Sequence, residues 1–191
     1  RAGLEVTSLT LEPIAAMNVS ISSSMRLLNL ALVDIGAGTS DIALTKDGTV
    51  FAFAMASTAG DEITEKIAKV LLLDFDEAEK VKMSLKEESV RYTDIMGLNY
   101  EKSSSEILNE IDDSIKVLAE EISNKILEFN GKAPSAVLLV GGGSRIPRLT
   151  GYIAGYLKIP SERVGVRSTD IIRDVDLGSK ELSWPEFITP I

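Results

Sequence analysis

Apolar and polar positions alternate with period two near the start of the chain, and from about residue 60 they recur every three to four residues. Short apolar runs return after about residue 135. Gly3–Leu11 alternates as a strand, and Pro13–Leu28 reads as a helix. Leu30–Val33, Asp41–Lys46 and Val50–Ser57 predict a three-stranded meander, with Asp47-Gly48 as one of its turns. The helical period begins with Asp61–Leu72, which sets Ile63, Ile67 and Val70 on one face. Asp61 and Glu62 lie at its amino end, where the helix dipole favours them. Asp74–Leu85 predicts a second helix and Glu88–Tyr92 a short strand. Ser103–Phe129 predicts one long amphipathic helix carrying Ile107, Ile111, Ile115, Leu118, Ile122, Ile126 and Phe129. Ser103 with Glu106 forms a capping box at its start, and Gly131 lies just past its end. A strand ending at Val140, a helix over Pro147–Leu157 and an edge strand over Arg163–Arg167 complete the order. This predicts an α/β sheet interrupted by a helical insert.

Chemistry enters at two glycine clusters. Residues 34–41 read Asp-Ile-Gly-Ala-Gly-Thr-Ser-Asp between two strands. Gly36 and Gly38 are expected to take positive φ and let the backbone approach phosphates, their N–H groups forming an anion nest. Asp34, at the carboxyl end of its strand, is placed to hold Mg²⁺ through water. Thr39 and Ser40 offer hydroxyl donors. A plain hairpin would account for this octet equally well on its own. The second cluster, about a hundred residues later, is Val140-Gly141-Gly142-Gly143-Ser144-Arg145 leading to Pro147. An ordinary strand-to-helix turn capped by Ser144 needs one glycine, whereas three let a flat ligand lie on bare backbone. Arg145 can stack its guanidinium plane on an aromatic base. Ligands of α/β sheets gather at strand carboxyl ends, where Asp34 and Gly141 both lie.

Composition narrows the chemistry. The 191 residues contain no cysteine and no histidine, which excludes disulfides, thiolate metal sites and Ser-His-Asp catalysis. No apolar run approaches the ~20 residues that span a bilayer. The chain starts at Arg1 without a signal-peptide pattern and is expected to be a piece of a longer, cytoplasmic protein. Between Asp61 and Glu128 there are 18 acidic and 9 basic residues, and the rest of the chain is balanced. So acidic a surface argues against nucleic-acid partners and against anionic lipid.

The string LALVDIGAGTSDIAL (30–44) resembles the second phosphate-binding motif of the actin–DnaK–sugar kinase superfamily. VLLVGGGSRIPRL (137–149) is similar to its adenosine motif, in the form DnaK-type chaperones carry. AGDEITEKIA, FDEAEKVK and LEVTSLTLEPIAA resemble the FtsA/PilM branch, and the terminal PEFITPI looks like the segment that closes this half of such a protein. The resemblance implies a ribonuclease H-like, actin-type ATPase lobe, a mixed sheet flanked by helices with an inserted, mainly helical subdomain. Residues 1–28 would then link from a missing first lobe. Residues 29–58 and 131–191 would form the core nucleotide-binding subdomain, and 59–130 the acidic insert.

Carried over by motif, the family implies ATP or ADP with Mg²⁺, the ion held through water by Asp34. Gly36, Gly38 and Thr39 would line the β- and γ-phosphates. Gly60 and Asp61 would face phosphates and ribose, and Glu79 and Lys82 would bracket ribose and adenine. For Glu79 and Lys82 the residues alone are equally consistent with a surface ion pair. Gly141, Gly142 and Gly143 would pass under the nucleoside and Arg145 would stack on the base. The parent is expected to bind Mg·ATP between two lobes, hydrolysing it weakly if at all, with this lobe alone inactive. Closure would be coupled to self-assembly or to a protein partner in bacterial cell division or envelope assembly. Membrane association, at the inner face of the cell membrane, would come only through regions absent from this chain. The DnaK-like GGGSRIP keeps open an ATP-dependent chaperone or reactivating factor. A small-molecule kinase on the same fold, and a scaffold that no longer binds nucleotide, are also compatible with these residues.

Overall fold

The computed structural model describes residues 3, 5–7, 9, 10, 12–22 and 24–167. β1 (Leu30–Ile35), β2 (Ser40–Lys46) and β3 (Thr49–Ala56) form an antiparallel meander. β6 (Ala136–Val140) lies parallel to β1, and β7 (Val164–Val166) parallel to β6. The resulting five-stranded mixed sheet has the order β3-β2-β1-β6-β7, as the α/β reading expects. β1 is central and covered on both faces, which is why it reads as a continuous apolar run. Asp47 and Gly48 both have positive φ, 52° and 85°, as a tight two-residue hairpin turn demands.

Side chains alternate between the sheet's faces, so Leu30 and Leu32 lie on one and Ala31, Val33 and Ile35 on the other. The first face packs with Ala43, Leu138 and Val140 under Ala16, Met17 and Ile21 of α1 (Glu12–Ser20) and its end. α1 stops eight residues short of the expected Leu28. Serine competes for its own backbone, and Ser20, Ser22 and Ser24 turn the chain into a short 3-10 turn at Met25–Leu27. The described positions ahead of α1 carry no strand, and Val6 and Leu9 are exposed. An alternating pattern makes a strand only where a ladder receives it. The terminal PEFITPI lies outside the described residues.

The second face is covered by α2 (Gly60–Leu71), α5 (Asp112–Asn130) and α6 (Leu149–Leu157). Its apolar cluster continues without a gap into α3 (Phe75–Ser84), α4 (Ser104–Glu110) and a hairpin of β4 (Ser89–Thr93) with β5 (Asn99–Ser103). No helix among the described residues is long and apolar enough to cross a membrane.

The long helix expected over Ser103–Phe129 is two helices. The Ser103–Glu106 capping box is present, but the chain breaks at Ile111, with φ −104° and ψ 2°. The cause is tertiary. Asp112 accepts bonds from Lys116 at 2.7 Å, from Tyr152 at 2.5 Å and from Arg148 at 2.9 Å, and the last two lie in and beside α6. Ile111 itself is fully buried. Lys116 first, then Tyr152 and Arg148, hold the Asp112 carboxyl well below the ordinary carboxylate range. A depressed folded value contributes stability above the unfolded pKa of about 3.9 and loses it as pH falls through the folded value. Asp112→Asn is therefore expected to be less stable than wild type at pH 7 and to lose less on acidification below pH 4. Urea unfolding between pH 7 and pH 3 checks this.

Candidate functional site

β1 ends in the turn of residues 36–39, closed by Gly36 N–H donating to the Thr39 carbonyl at 3.0 Å. The amino end of α2 is fastened to that turn. Gly60 N–H donates to the Gly36 carbonyl at 3.0 Å and Asp61 N–H to the Ala37 carbonyl at 2.8 Å. Two of the helix's free amino-terminal donors are thus spent on the turn, and the Gly36 and Ala37 carbonyls are satisfied by them. Contrary to expectation, neither Gly36 nor Gly38 has positive φ. The two-strand closure through Gly36 and Thr39 is achieved without left-handed backbone. Ser40 is also reassigned. It is buried and its hydroxyl donates to the Thr58 carbonyl at 2.8 Å, so it fixes the turn from behind, while Thr39 is exposed.

Asp34 stands one residue before the end of β1, paired in register with Asp41 across β2 and with Val140 on β6. Partners in an antiparallel ladder face the same way, so two carboxylates share one side of the sheet, and burial pushes the Asp41 carboxyl up. The second glycine run starts beside Asp34. Gly141 has φ +79°, and a Cβ there would lie 2.5 Å from the Ile35 carbonyl oxygen and against the Asp34 carboxylate. A Cβ on Gly143 would meet Ile35 as well, 3.0 Å from its carbonyl oxygen. Gly142–Arg145 is a 3-10 turn that Ser144 locks by donating to the Gly141 carbonyl at 2.7 Å. Ser144 is no helix cap. α6 starts later than expected, at Leu149, because Arg148 takes left-handed backbone with φ 69° and reaches back to Asp112.

A cleft of about 310 Å³ opens between these two turns and the α2–α3 pair. Of the expected residues, Gly36, Asp61, Glu79, Lys82, Gly142, Gly143 and Arg145 line it. Gly60 is buried behind it, and Asp34, Gly38, Thr39 and Gly141 lie outside its lining, in the two turns and the end of β1. The lining also includes Met83 and Lys86, which lie outside the quoted motifs, and Ala37 and Ile146, which lie within them. Met83 had a signal, since it follows Glu79 and Lys82 on α3, and Lys86 lies in the turn just past that helix.

Lys82 is only 12% exposed and its ammonium uses all three of its protons. They go to Glu79 at 2.6 Å, to the Thr64 hydroxyl at 2.8 Å and to the Gly60 carbonyl at 3.2 Å. Thr64 in turn donates to Glu79 at 2.6 Å. The Glu79–Lys82 pair is therefore more than a surface pair: its lysine end is largely buried and latches α3 to Thr64 and Gly60 of α2, while Glu79 remains partly exposed. Thr64 was missed, although a hydroxyl between Ile63 and Ile67 on a buried face is the kind of residue that must find a polar partner. Three cations, Lys82, Lys86 and Arg145, converge on this cleft against two carboxylates, Asp61 and Glu79. Lys82 and Lys86 come from a stretch with twice as many acids as bases and Arg145 from outside it, and their excess over the two carboxylates favours an anionic ligand. Among the described residues no group of three acidic or histidine side chains is gathered to hold a metal by itself.

Residues 31–191 match the family model described as Cell division protein FtsA. The Cell division protein FtsA of Bacillus subtilis is 28% identical over 158 residues, which is 77% of this chain and 36% of that protein. Among solved structures, the PilM-PilN type IV pilus biogenesis complex superposes with a TM-score of 0.75 at 22% identity, covering 98% of this chain and 52% of the matched one. MreB5 of Spiroplasma citri bound to ADP gives a TM-score of 0.59 at 22% identity, covering 88% of this chain and 57% of the other. The chain thus spans roughly a third to a half of the length of these relatives.

Proposed function

The chain belongs to the FtsA family of cell division proteins and has the actin-type ATPase fold, and on that footing we propose that it is a nucleotide-binding lobe for Mg·ATP. The observation that carries this reading is the convergence on one cleft of two glycine turns and three cations, two of the cations coming from the acidic stretch 61–128. The chemistry of the donor set suits a nucleotide. The exposed turn of Gly36, Ala37, Gly38 and Thr39 offers backbone and hydroxyl donors to phosphate oxygens. Lys82 and Lys86 supply charge, Glu79 an acceptor for ribose hydroxyls, and Arg145 a planar face for adenine. Asp34 would hold Mg²⁺ through water, with its ladder partner Asp41 on the same side of the sheet. Bound Mg²⁺ supplies charge neutralisation at the phosphates.

Lys82 makes its three bonds within the protein, so it would engage a phosphate or ribose by exchanging one partner. The fastening of Gly60 and Asp61 to the 36–39 turn makes phosphate contact and the placement of α2 one event. Through α2 and α3, nucleotide binding would reach the acidic helices beyond the sheet. We assign the whole protein the coupling of Mg·ATP binding to assembly or partner binding in cell division, in the cytoplasm, with any membrane contact made elsewhere in the protein. The PilM relative was solved in a complex with PilN, which supports a protein partner. A photoreactive 8-azido ATP analogue tests the cleft. Labelling is expected on peptides spanning Glu79–Lys86 and Gly142–Ile146, and to be competed away by ATP. Labelling confined to other peptides would place the nucleotide elsewhere.

A further inference from the structure

Residues 57–59 join β3 to α2, and Ser57 N–H, the Thr58 carbonyl and Ala59 N–H are each tied to a side chain of another element. The tie from farthest away in sequence is Glu121, in the middle of α5. Its Oε1 accepts from Ser57 N–H at 2.9 Å and from the Ser57 hydroxyl at 3.2 Å, and its Oε2 accepts from the Thr58 hydroxyl at 2.5 Å. Next along, the Thr58 carbonyl accepts from Ser40, and Ala59 N–H donates to Glu62 at 2.7 Å. Gly60 and Asp61 N–H then hold the Gly36 and Ala37 carbonyls. Every residue from Ser57 to Asp61 is thus held by at least one hydrogen bond, the first to Glu121 and the last two to the glycine turn. It does not line the cleft. A carboxylate that engages one donor with each oxygen at 2.9 Å or less is a clamp, since a fork of two oxygens fixes direction as well as distance.

We propose that Glu121 is a positioning residue, clamping the Ser57–Ala59 link so that the amino end of α2 holds the 36–39 turn in its open, anion-receiving form. The Thr58 hydroxyl, followed by the Ser57 N–H, also keeps the Glu121 carboxyl below its ordinary range, so the group acts as an anion throughout the neutral range. A different purpose for the carboxylate, simple docking of α5 on the sheet, is already served by apolar packing of Ile115, Leu118, Ile122 and Ile126. Only the consequence for phosphate groups rests on the nucleotide-binding reading; the effect on the turn does not.

Two measurements on the full-length protein separate these. Amide hydrogen exchange of the nucleotide-free protein is expected to accelerate about tenfold at Gly60 and Asp61 in Glu121→Ala. The β6 amides of Val137–Val140 should stay unchanged. Thr58→Val should act in the same direction. Glu121→Gln should stay within about threefold of wild type, because its oxygen still accepts from Ser57 and its amide can donate to Thr58. In binding assays Glu121→Ala is expected to weaken Mg·ADP about tenfold and leave adenosine within about twofold, since α2's amino end is fastened to the 36–39 turn and not to the Gly142–Arg145 turn. Unchanged exchange at Gly60 and Asp61, or acceleration spread equally to β6, overturns the clamp. Equal losses for Mg·ADP and adenosine overturn its link to phosphate. Local acceleration in a protein that binds no nucleotide in any form would uphold the clamp and reject the nucleotide-binding reading instead.

Discussion

Gly141→Ala is expected to destabilise the protein by about 3 kcal/mol or more and to remove nucleotide binding with it. With ψ 166°, the φ of +79° puts Gly141 in a region essentially reserved for glycine, which costs an alanine about 1–3 kcal/mol. The added methyl must also displace β1, because it would lie 2.5 Å from the Ile35 carbonyl oxygen and against the Asp34 carboxylate. β1 is the central strand, paired on both edges, and it has no room to retreat. Gly38→Ala is the contrasting case. Its φ is not left-handed and nothing lies within 4 Å of a Cβ there, so the fold should tolerate it within about 0.5 kcal/mol. Urea-denaturation midpoints of the two variants, measured side by side, test whether the two glycine runs differ in kind as the geometry requires.

Lys82→Ala is expected to weaken Mg·ATP binding at least about tenfold while the protein stays folded. The substitution removes one of three cations from the cleft and leaves Glu79 without the ammonium that neutralises it. It also frees the Gly60 carbonyl and the Thr64 hydroxyl, which set the amino end of α2 against the glycine turn. Loss of charge, repulsion from Glu79 and loosening of α2 all act in one direction. Lys86→Ala removes an exposed cation that stands outside this latch and should cost about threefold. Titration of a fluorescent ATP analogue gives both values. Equal effects at the two lysines would mean that charge alone matters and that the latch does not.

The sheet was legible because its strands are short apolar runs bounded by turn residues, with Asp47-Gly48 marking its hairpin outright. β5 was not, since Asn-Tyr-Glu-Lys-Ser has no apolar alternation and is mostly exposed. It is a strand because Tyr100 stacks on Tyr92 of its partner, with ring centroids 5.5 Å apart. The break at Ile111 was hidden for the same kind of reason. Its apolar spacing is helical on both sides, and the interruption comes from Arg148 and Tyr152, some forty residues away. In the cleft, Gly36, Gly142, Gly143 and Arg145 meet because the two glycine motifs end neighbouring strands, β1 and β6, and Asp61, Glu79 and Lys82 join them because α2 is fastened to the first turn and α3 to α2. The reasons behind some of them differ. Gly141 and Gly143 are glycines because Ile35 and Asp34 leave no space, and Gly36 and Gly38 need no special φ. Thr64, Ser40 and Glu121 act through partners distant in sequence, which periodicity does not reveal.

Whether this cleft takes Mg·ATP is tested most directly by calorimetric titration of ATP into the full-length protein, with and without Mg²⁺ and beside Asp34→Asn. The expected result is a dissociation constant on the order of micromolar with Mg²⁺, weakened by omitting the ion, and a smaller dependence on Mg²⁺ in the variant. A folded wild-type protein that takes up no ATP under either condition would contradict it.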